Sequence, residues 1–284
     1  MKLGLRNGQQ FKAKIRNLAK QKQVSPQVLM QEVALDEIVD RISRSPYREQ
    51  LILKGGFLIA SMIGIDTRST RDLDTSVRGL PVTKDEMLKV FNTIVKMNET
   101  DGDVTLRITK IDEIRSGDNY EGFRIHLEAK IFASVIDTKI DISTGDVITP
   151  HEISWYHHTI FNDQKIMVMA YNMETILAEK IEAIVARQEQ TTRMKDYYDL
   201  YLFDKVRREQ INFKMLETAI NATAKLRGTD YLLPKYQEII QEVSNSKVLA
   251  ERWKKYSLAN AYSQEISYQE TCDAALDLIQ QANL

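Results

Sequence analysis

The alternation of apolar and polar positions divides the chain into three textures. Residues 11–22 read as a basic helix, and Ser25-Pro26 has the form of an N-cap followed by a first helical residue. The next helix places Leu35, Ile38, Val39 and Ile42 on one stripe and stops near Ser45-Pro46. Beyond residue 50 the period changes. Leu51-Ile52-Leu53 is a short apolar run halted at Gly55-Gly56, and residues 57–64 resume as an apolar helix. Residues 73–77 and 136–143 alternate with period two and read as strands, with 105–111 and 122–132 as further strand candidates. Residues 83–97 form a helix whose apolar side is Met87, Leu88, Phe91, Ile94 and Val95. From Asn172 onward the pattern is helical, with candidates at 173–187, 193–203, 213–226, 231–243 and 272–281.

This order predicts an α/β (α+β) protein: an N-terminal helical segment over 1–46, a mixed-sheet core over 47–168 and a helical C-terminal domain over 169–284. The length of 284 residues suits one large domain or two ordinary ones, and 43% hydrophobic residues can fill a sizeable core. The formal net charge of -1 removes a generally basic surface as the binding principle. A single cysteine, Cys272, excludes an intrachain disulfide and CxxC-type zinc sites; on a helix it reads as a small apolar filler. No apolar run reaches the roughly 18 residues of a membrane span. No secretory signal is evident at the start, so a reducing cytoplasm is the expected location.

The first chemical signal is Arg71-Asp72-Leu73-Asp74. On a strand, residues two apart share a face, so Asp72 and Asp74 stand side by side and Leu73 turns inward. Like charges so placed resist ionisation unless a cation lies between them, and Mg²⁺ with its oxygen ligands suits that position. Alone, an Asp-x-Asp is most often an exposed acidic turn. Here Lys54-Gly55-Gly56-Phe57 precedes it, where glycines let the backbone approach a phosphate and a helix N-terminus offers free N–H donors. In 136–143, Ile136, Thr138, Ile140 and Ile142 form one face, and Asp137, Lys139, Asp141 and Ser143 the other. Asp141 is the preferred third metal ligand, and Asp137 has the same parity.

In the helical part, Met173, Ile176, Leu177, Ile181 and Ile184 make an inward stripe on which Lys180 also falls. Such a lysine must snorkel or meet an anion. Asp196 and Asp199 share a face with Leu200 and Phe203; Arg193 lies three before Asp196 and Lys195 four before Asp199, so internal ion pairs could satisfy both acids.

Taken together, Gly55-Gly56, Arg71-Asp72-Leu73-Asp74 and Lys139-Ile140-Asp141-Ile142-Ser143-Thr144-Gly145-Asp146 resemble the polymerase-beta-type nucleotidyltransferase core. Tyr171-Asn172-Met173-Glu174, Ala178-Glu179-Lys180-Ile181-Glu182-Ala183 and Arg193-Met194-Lys195-Asp196-Tyr197-Tyr198-Asp199-Leu200 resemble, more narrowly, the AbiEii/AbiGii toxin family, whose layout the related MenT toxins share. The resemblance spans about residues 35 to 230, with four motifs in order. It implies the toxin of a toxin–antitoxin pair used in abortive infection against phage. It also implies Mg²⁺ or Mn²⁺, an NTP substrate with GTP foremost, and an RNA acceptor of the tRNA kind. The implied partner is a separately encoded antitoxin, with or without stable direct contact. By motif, Asp72, Asp74 and Asp141 carry over as metal ligands and catalytic acids, Lys180 as the nucleotide-contacting lysine, and Asp196 and Asp199 as helical acids. Arg193 and Lys195 lie within the last motif as nucleotide-binding cations. Where the family often has Gly-Ser, this chain has Gly55-Gly56, so backbone donors replace a serine hydroxyl. A kinase-like or protein-modifying phosphotransferase, and a GTP-binding toxin without chemistry, are the competing readings.

Three weaker signals read as structural. The basic positions Lys12, Lys14, Arg16, Lys20 and Lys22 suit a solvated helix face better than an RNA contact. His157-His158, with no nearby Cys or HExxH spacing, reads as a loop or satisfied core pair. Trp155 and Trp253 read as packing residues.

Overall fold

The computed structural model describes residues 2–97, 103–114 and 122–284. They form two compact units, Met1–Asp146 with Ile153–Ala170, and Val147–Glu152 with Tyr171–Leu284.

The first unit opens with helices α1 (Gly8–Lys22) and α2 (Pro26–Arg44). Ser25 caps α2 by accepting the Val28 amide, with Pro26 at the helix start. Strand β1 (Leu51–Lys54) runs directly into α3 (Gly55–Ile63), followed by β2 (Asp72–Val77) and α4 (Lys84–Lys96). Then come β3 (Val104–Ile114), β4 (Gly122–Ile131), β5 (Ser134–Ser143), β6 (Ile153–His158) and β7 (Lys165–Ala170). The strands make one mixed sheet in the order β3-β4-β5-β2-β1-β7-β6. At its centre β2 is antiparallel to β1 and parallel to β5, and β1 is parallel to β7.

Period-two burial decides which face each strand presents. Along β5, Ile136, Thr138, Ile140 and Ile142 are buried, Asp137 is exposed, and Lys139 and Asp141 are half-buried. Helix α2 packs against β5 and β7, α3 against β1, β2 and β6, and α4 against β3. Helix α2 is buried on nearly all sides, which forces its charges to find partners. Arg41 donates to Glu37 at 2.7 Å and to the carbonyls of Val95 and Val104, all in the interior.

The second unit contains α5 (Met173–Arg187), α6 (Met194–Arg207), α7 (Phe213–Arg227), α8 (Tyr236–Ser244), α9 (Lys247–Ala259) and α10 (Tyr268–Gln281). Asn172 caps α5 through the Thr175 amide at 2.8 Å, and Ser267 with Glu270 forms a capping box on α10. Leu177, Ile181 and Ile184 of α5 and Tyr197, Leu200 and Phe203 of α6 fill its core.

Three regions differ from the sequence expectation. The region 153–170 is a strand pair, so His157-His158 lies on β6; His157 takes the buried, hydrogen-bonded role that was the alternative to a loop. The predicted helix over 231–243 is a 3₁₀ stretch, Asp230–Lys235, followed by α8, because Pro234 has no N–H for a continuous α-helix. Helix α9 had no predicted counterpart.

Candidate functional site

In the first unit, the polar face of β1, β2, β5 and β4 gathers the charged residues of the sequence motifs. Parallel pairing sets Asp74 opposite Asp141 and Asp72 opposite Lys139, while antiparallel pairing sets Lys54 opposite Asp74 and Arg124 opposite Asp141. One row across the sheet therefore reads Lys54, Asp74, Asp141, Arg124. Asp137 lies four residues further along β5, about 13 Å at the usual rise per strand residue. Register thus brings Asp141, and not Asp137, beside Asp74.

Asp72, Asp141 and Asp146 each meet a cation. Arg124 grips Asp141 with two parallel bonds, Nε to Oδ1 at 2.7 Å and Nη2 to Oδ2 at 2.6 Å. Lys139 Nζ lies 3.3 Å from Asp72 Oδ2. Lys54 Nζ donates to Asp146 Oδ2 at 2.6 Å, which also accepts from Ser76 and Ser143. The Asp141 hydrogen bond holds the Arg124 guanidinium above its ordinary pKa against a desolvation cost, and the fields of Asp141, Asp72 and Asp74 add to it. That guanidinium therefore senses all three carboxylates. A cavity of about 310 Å³ opens beside Asp72, bordered by Gln31, Arg71, His126, Asp137 and Lys139.

The turn from β1 into α3 explains both glycines. Gly55 has φ +67°, and a Cβ there would stand 2.1 Å from Asp74 Oδ2. A Cβ on Gly56 would stand 2.8 Å from Thr70 Oγ1. The Asp74 carboxylate thus lies against the start of α3, an N-terminus with no side-chain cap. Sequence reasoning did not assign roles to Arg124, Lys54 and Asp146. The alternation Phe123-Arg124-Ile125-His126-Leu127-Glu128 put Arg124 on a polar face, but only the β4–β5 register names its partner.

In the second unit, Lys180 does not snorkel. It is 9% exposed and sits between Asp196, at 2.9 Å, and Asp199, at 2.6 Å. Arg193 Nε lies 2.8 Å from Asp196 Oδ2, whereas Lys195 is exposed. Of the internal pairs expected for the two acids, Arg193 with Asp196 is present, and Lys180 pairs with both acids. Burial alone would pull the Lys180 ammonium down, but Asp196 and Asp199 outweigh it and hold it above its usual value. Burial likewise opposes ionisation of Asp196, yet Lys180 and Arg193 keep its carboxyl below the usual range.

These directions fix a pH window. Stabilisation from the depressed Asp196 is present above the ordinary aspartate value near 3.8 and is lost as pH falls through its lowered value. Stabilisation from the raised Lys180 is present below the ordinary lysine value of 10.5 and is lost as pH rises through its higher one. Melting temperature plotted against pH should therefore stay level between these limits and fall on both flanks. Lys180→Met should weaken both flanks, and an unchanged profile in that variant would refute the pairing as their cause.

A profile of the family described as Nucleotidyl transferase AbiEii toxin, Type IV TA system, matches residues 37–277. Among curated proteins none matches. Among solved structures, MenT4, a nucleotidyltransferase toxin from Mycobacterium tuberculosis H37Rv, aligns with a TM-score of 0.56 and 14% identity, over 95% of this chain and 98% of that one. JHP933 from Helicobacter pylori aligns with a TM-score of 0.49 and 18% identity, over 91% of each chain. The MenT4 likeness shows a nucleotidyltransferase-like fold: a mixed sheet followed by helices. With the family profile running through the sheet strands and the helices after them, the chain belongs to the AbiEii nucleotidyltransferase toxins of type IV toxin–antitoxin systems.

Proposed function

We propose that the polar sheet face is the nucleotidyl-transfer site, acting on an NTP, GTP foremost, and on a hydroxyl of a tRNA-like RNA. The observation that supports this most is the alignment of Asp74 with Asp141 across parallel strands, with Asp72 two residues before Asp74 on the same face. Three carboxylates form a hard oxygen donor set that fits Mg²⁺ or Mn²⁺ better than a softer metal. Asp72, Asp74 and Asp141 would hold such an ion, which would supply positive charge against the charge that develops in transfer.

The chain's own groups supply the rest. Asp72, Asp74 and Asp141 are the proposed metal ligands, with Asp141 also orienting the attacking hydroxyl. Backbone N–H groups at Gly55-Gly56, the uncapped start of α3, orient phosphate. Arg124 and Lys139 balance the acids and are the cations at hand for phosphate oxygens. In the helical unit, Asp196 and Asp199 orient the Lys180 ammonium. With Arg193 and Lys195, Lys180 supplies positive charge for nucleotide or acceptor phosphates. Family membership implies a cognate antitoxin and a nucleotide substrate. Action in abortive infection against phage and a cytoplasmic setting are part of the proposal.

Purified protein incubated with each labelled NTP and total RNA, with and without Mg²⁺, tests the reading. Label from the α-phosphate of GTP should enter RNA 3′ ends only with the metal present, and sequencing of the labelled ends identifies the acceptor. Transfer of the γ-phosphate instead would establish a kinase-like reaction. GTP binding without transfer of either label would leave a toxin that acts through partner contacts.

A further inference from the structure

Away from the sheet's polar face, the first unit buries a second group of ionisable side chains. Glu32 and Asp36 lie one turn apart on α2 and face His157 of β6, with one ligand atom of each within 4.8 Å of the others. They are 4%, 0% and 3% exposed, respectively. Asp36 Oδ1 lies 2.7 Å from His157 Nε2, and its Oδ2 accepts the Ile160 amide at 2.7 Å. His157 Nδ1 lies 2.9 Å from Ser61 Oγ, which accepts the Trp155 indole N–H at 2.8 Å. Glu32 Oε2 is buried and has no hydrogen-bond partner among the described residues.

An orphaned carboxylate oxygen in an apolar interior is costly, and a second carboxylate beside it raises the cost. We propose that Glu32, Asp36 and His157 bind a divalent transition-metal cation of the zinc class. Two carboxylates and a divalent cation sum to zero charge, so the ion removes the buried excess. Ser61, anchored by Trp155, accepts the Nδ1 proton of His157, which leaves the Nε2 lone pair for the metal; a hydrogen bond of this kind commonly fixes a ligand imidazole. The Ile160 amide holds Asp36 in place while Oδ1 serves as ligand. The imidazole nitrogen favours zinc over Mg²⁺, which separates this site in chemistry from the all-carboxylate set on the sheet. The role is structural: the ion ties α2 to β6, the last strand in the sheet order.

Chelator-stripped full-length protein is titrated with zinc in excess Mg²⁺, desalted and assayed for metal content, with melting temperature measured in parallel. A single equivalent of zinc should be retained. Melting should rise by about 5 °C or more when zinc exceeds its Kd about a hundredfold. Glu32→Gln, which keeps the shape and removes the charge, should lower zinc affinity at least about tenfold, whereas Asp74→Asn should retain the zinc. Zinc lost in Asp74→Asn and kept in Glu32→Gln assigns the ion to the sheet face and overturns the proposal. Wild-type protein that binds no zinc and shows no melting shift overturns it as well, and leaves a protonated Glu32 as the means of removing the charge. If Glu32→Gln fails to fold, Asp74→Asn decides the question alone: zinc retained there supports the buried site, and zinc lost there overturns it.

Discussion

Asp74→Asn should lower nucleotidyl transfer by about a thousandfold or more, the scale at which loss of a charge-stabilising group acts in transfer chemistry, with little loss of stability. Asp74 is opposite Asp141 on β5 and opposite Lys54 on β1, and its carboxylate rests against the start of α3. Asparagine preserves the size and much of the hydrogen bonding there but removes the charge a cation would meet. It also lowers the repulsion among neighbouring acids, so melting should stay within about 1 kcal/mol of wild type. Steady-state transfer from α-labelled GTP, read beside a thermal melt, checks both parts. Full activity in Asp74→Asn would dismiss the sheet face as the reaction centre, whatever the fate of the buried Glu32 group.

Lys180→Met should destabilise the helical unit by about 3 to 5 kcal/mol, the usual cost of stripping the partner from a buried charge. The Asp196 and Asp199 side chains are only 3% and 0% exposed, and Arg193, itself 44% exposed, can compensate only Asp196. Methionine fills the aliphatic volume but leaves Asp199 without its cation. Changing Lys180→Met, Asp196→Asn and Asp199→Asn together should recover most of the loss, because no net buried charge remains. Thermal or urea melts of the single and triple variants measure the difference. A single variant as stable as wild type would mean that the lysine is held for its chemistry alone.

The charged residues of the sheet site were legible because period two alone fixes strand parity: Asp72 with Asp74, and Asp141 with Lys139. What parity cannot say is which strand lies beside which. Arg124 was visible as a polar position, but its two bonds to Asp141 follow from β4–β5 register. Asp137 and Asp141 were equivalent by parity, and the β2–β5 alignment sets Asp141, the preferred ligand, beside Asp74. Strands β6 and β7 were missed for two different reasons. In Lys165–Ala170, apolar residues occupy both faces, so no alternation shows. In Ile153–His158, the most buried position is His157, a polar residue satisfied by Asp36, 121 residues away in sequence. The same distance hid the Glu32 group, since local spacing around His157-His158 offers no second ligand. In the helical unit, Lys180 on an apolar stripe marked a lysine that had to snorkel or meet an anion. That it faces two of the protein's own acids follows from the packing of α5 against α6.

The meeting of β2 with β5 also bears on synthesis. Asp72 and Asp74 leave the ribosome well before Asp141, and β3 and β4 must be made in between. On the proposed assignment of the acids, a nascent chain or truncated product that ends before β5 carries an incomplete set of ligands and is harmless. Toxicity then begins only when the distant strand docks in parallel, a slow class of contact to form. A mistake of a single residue in that docking would turn Asp141 toward the helices and disarm the product.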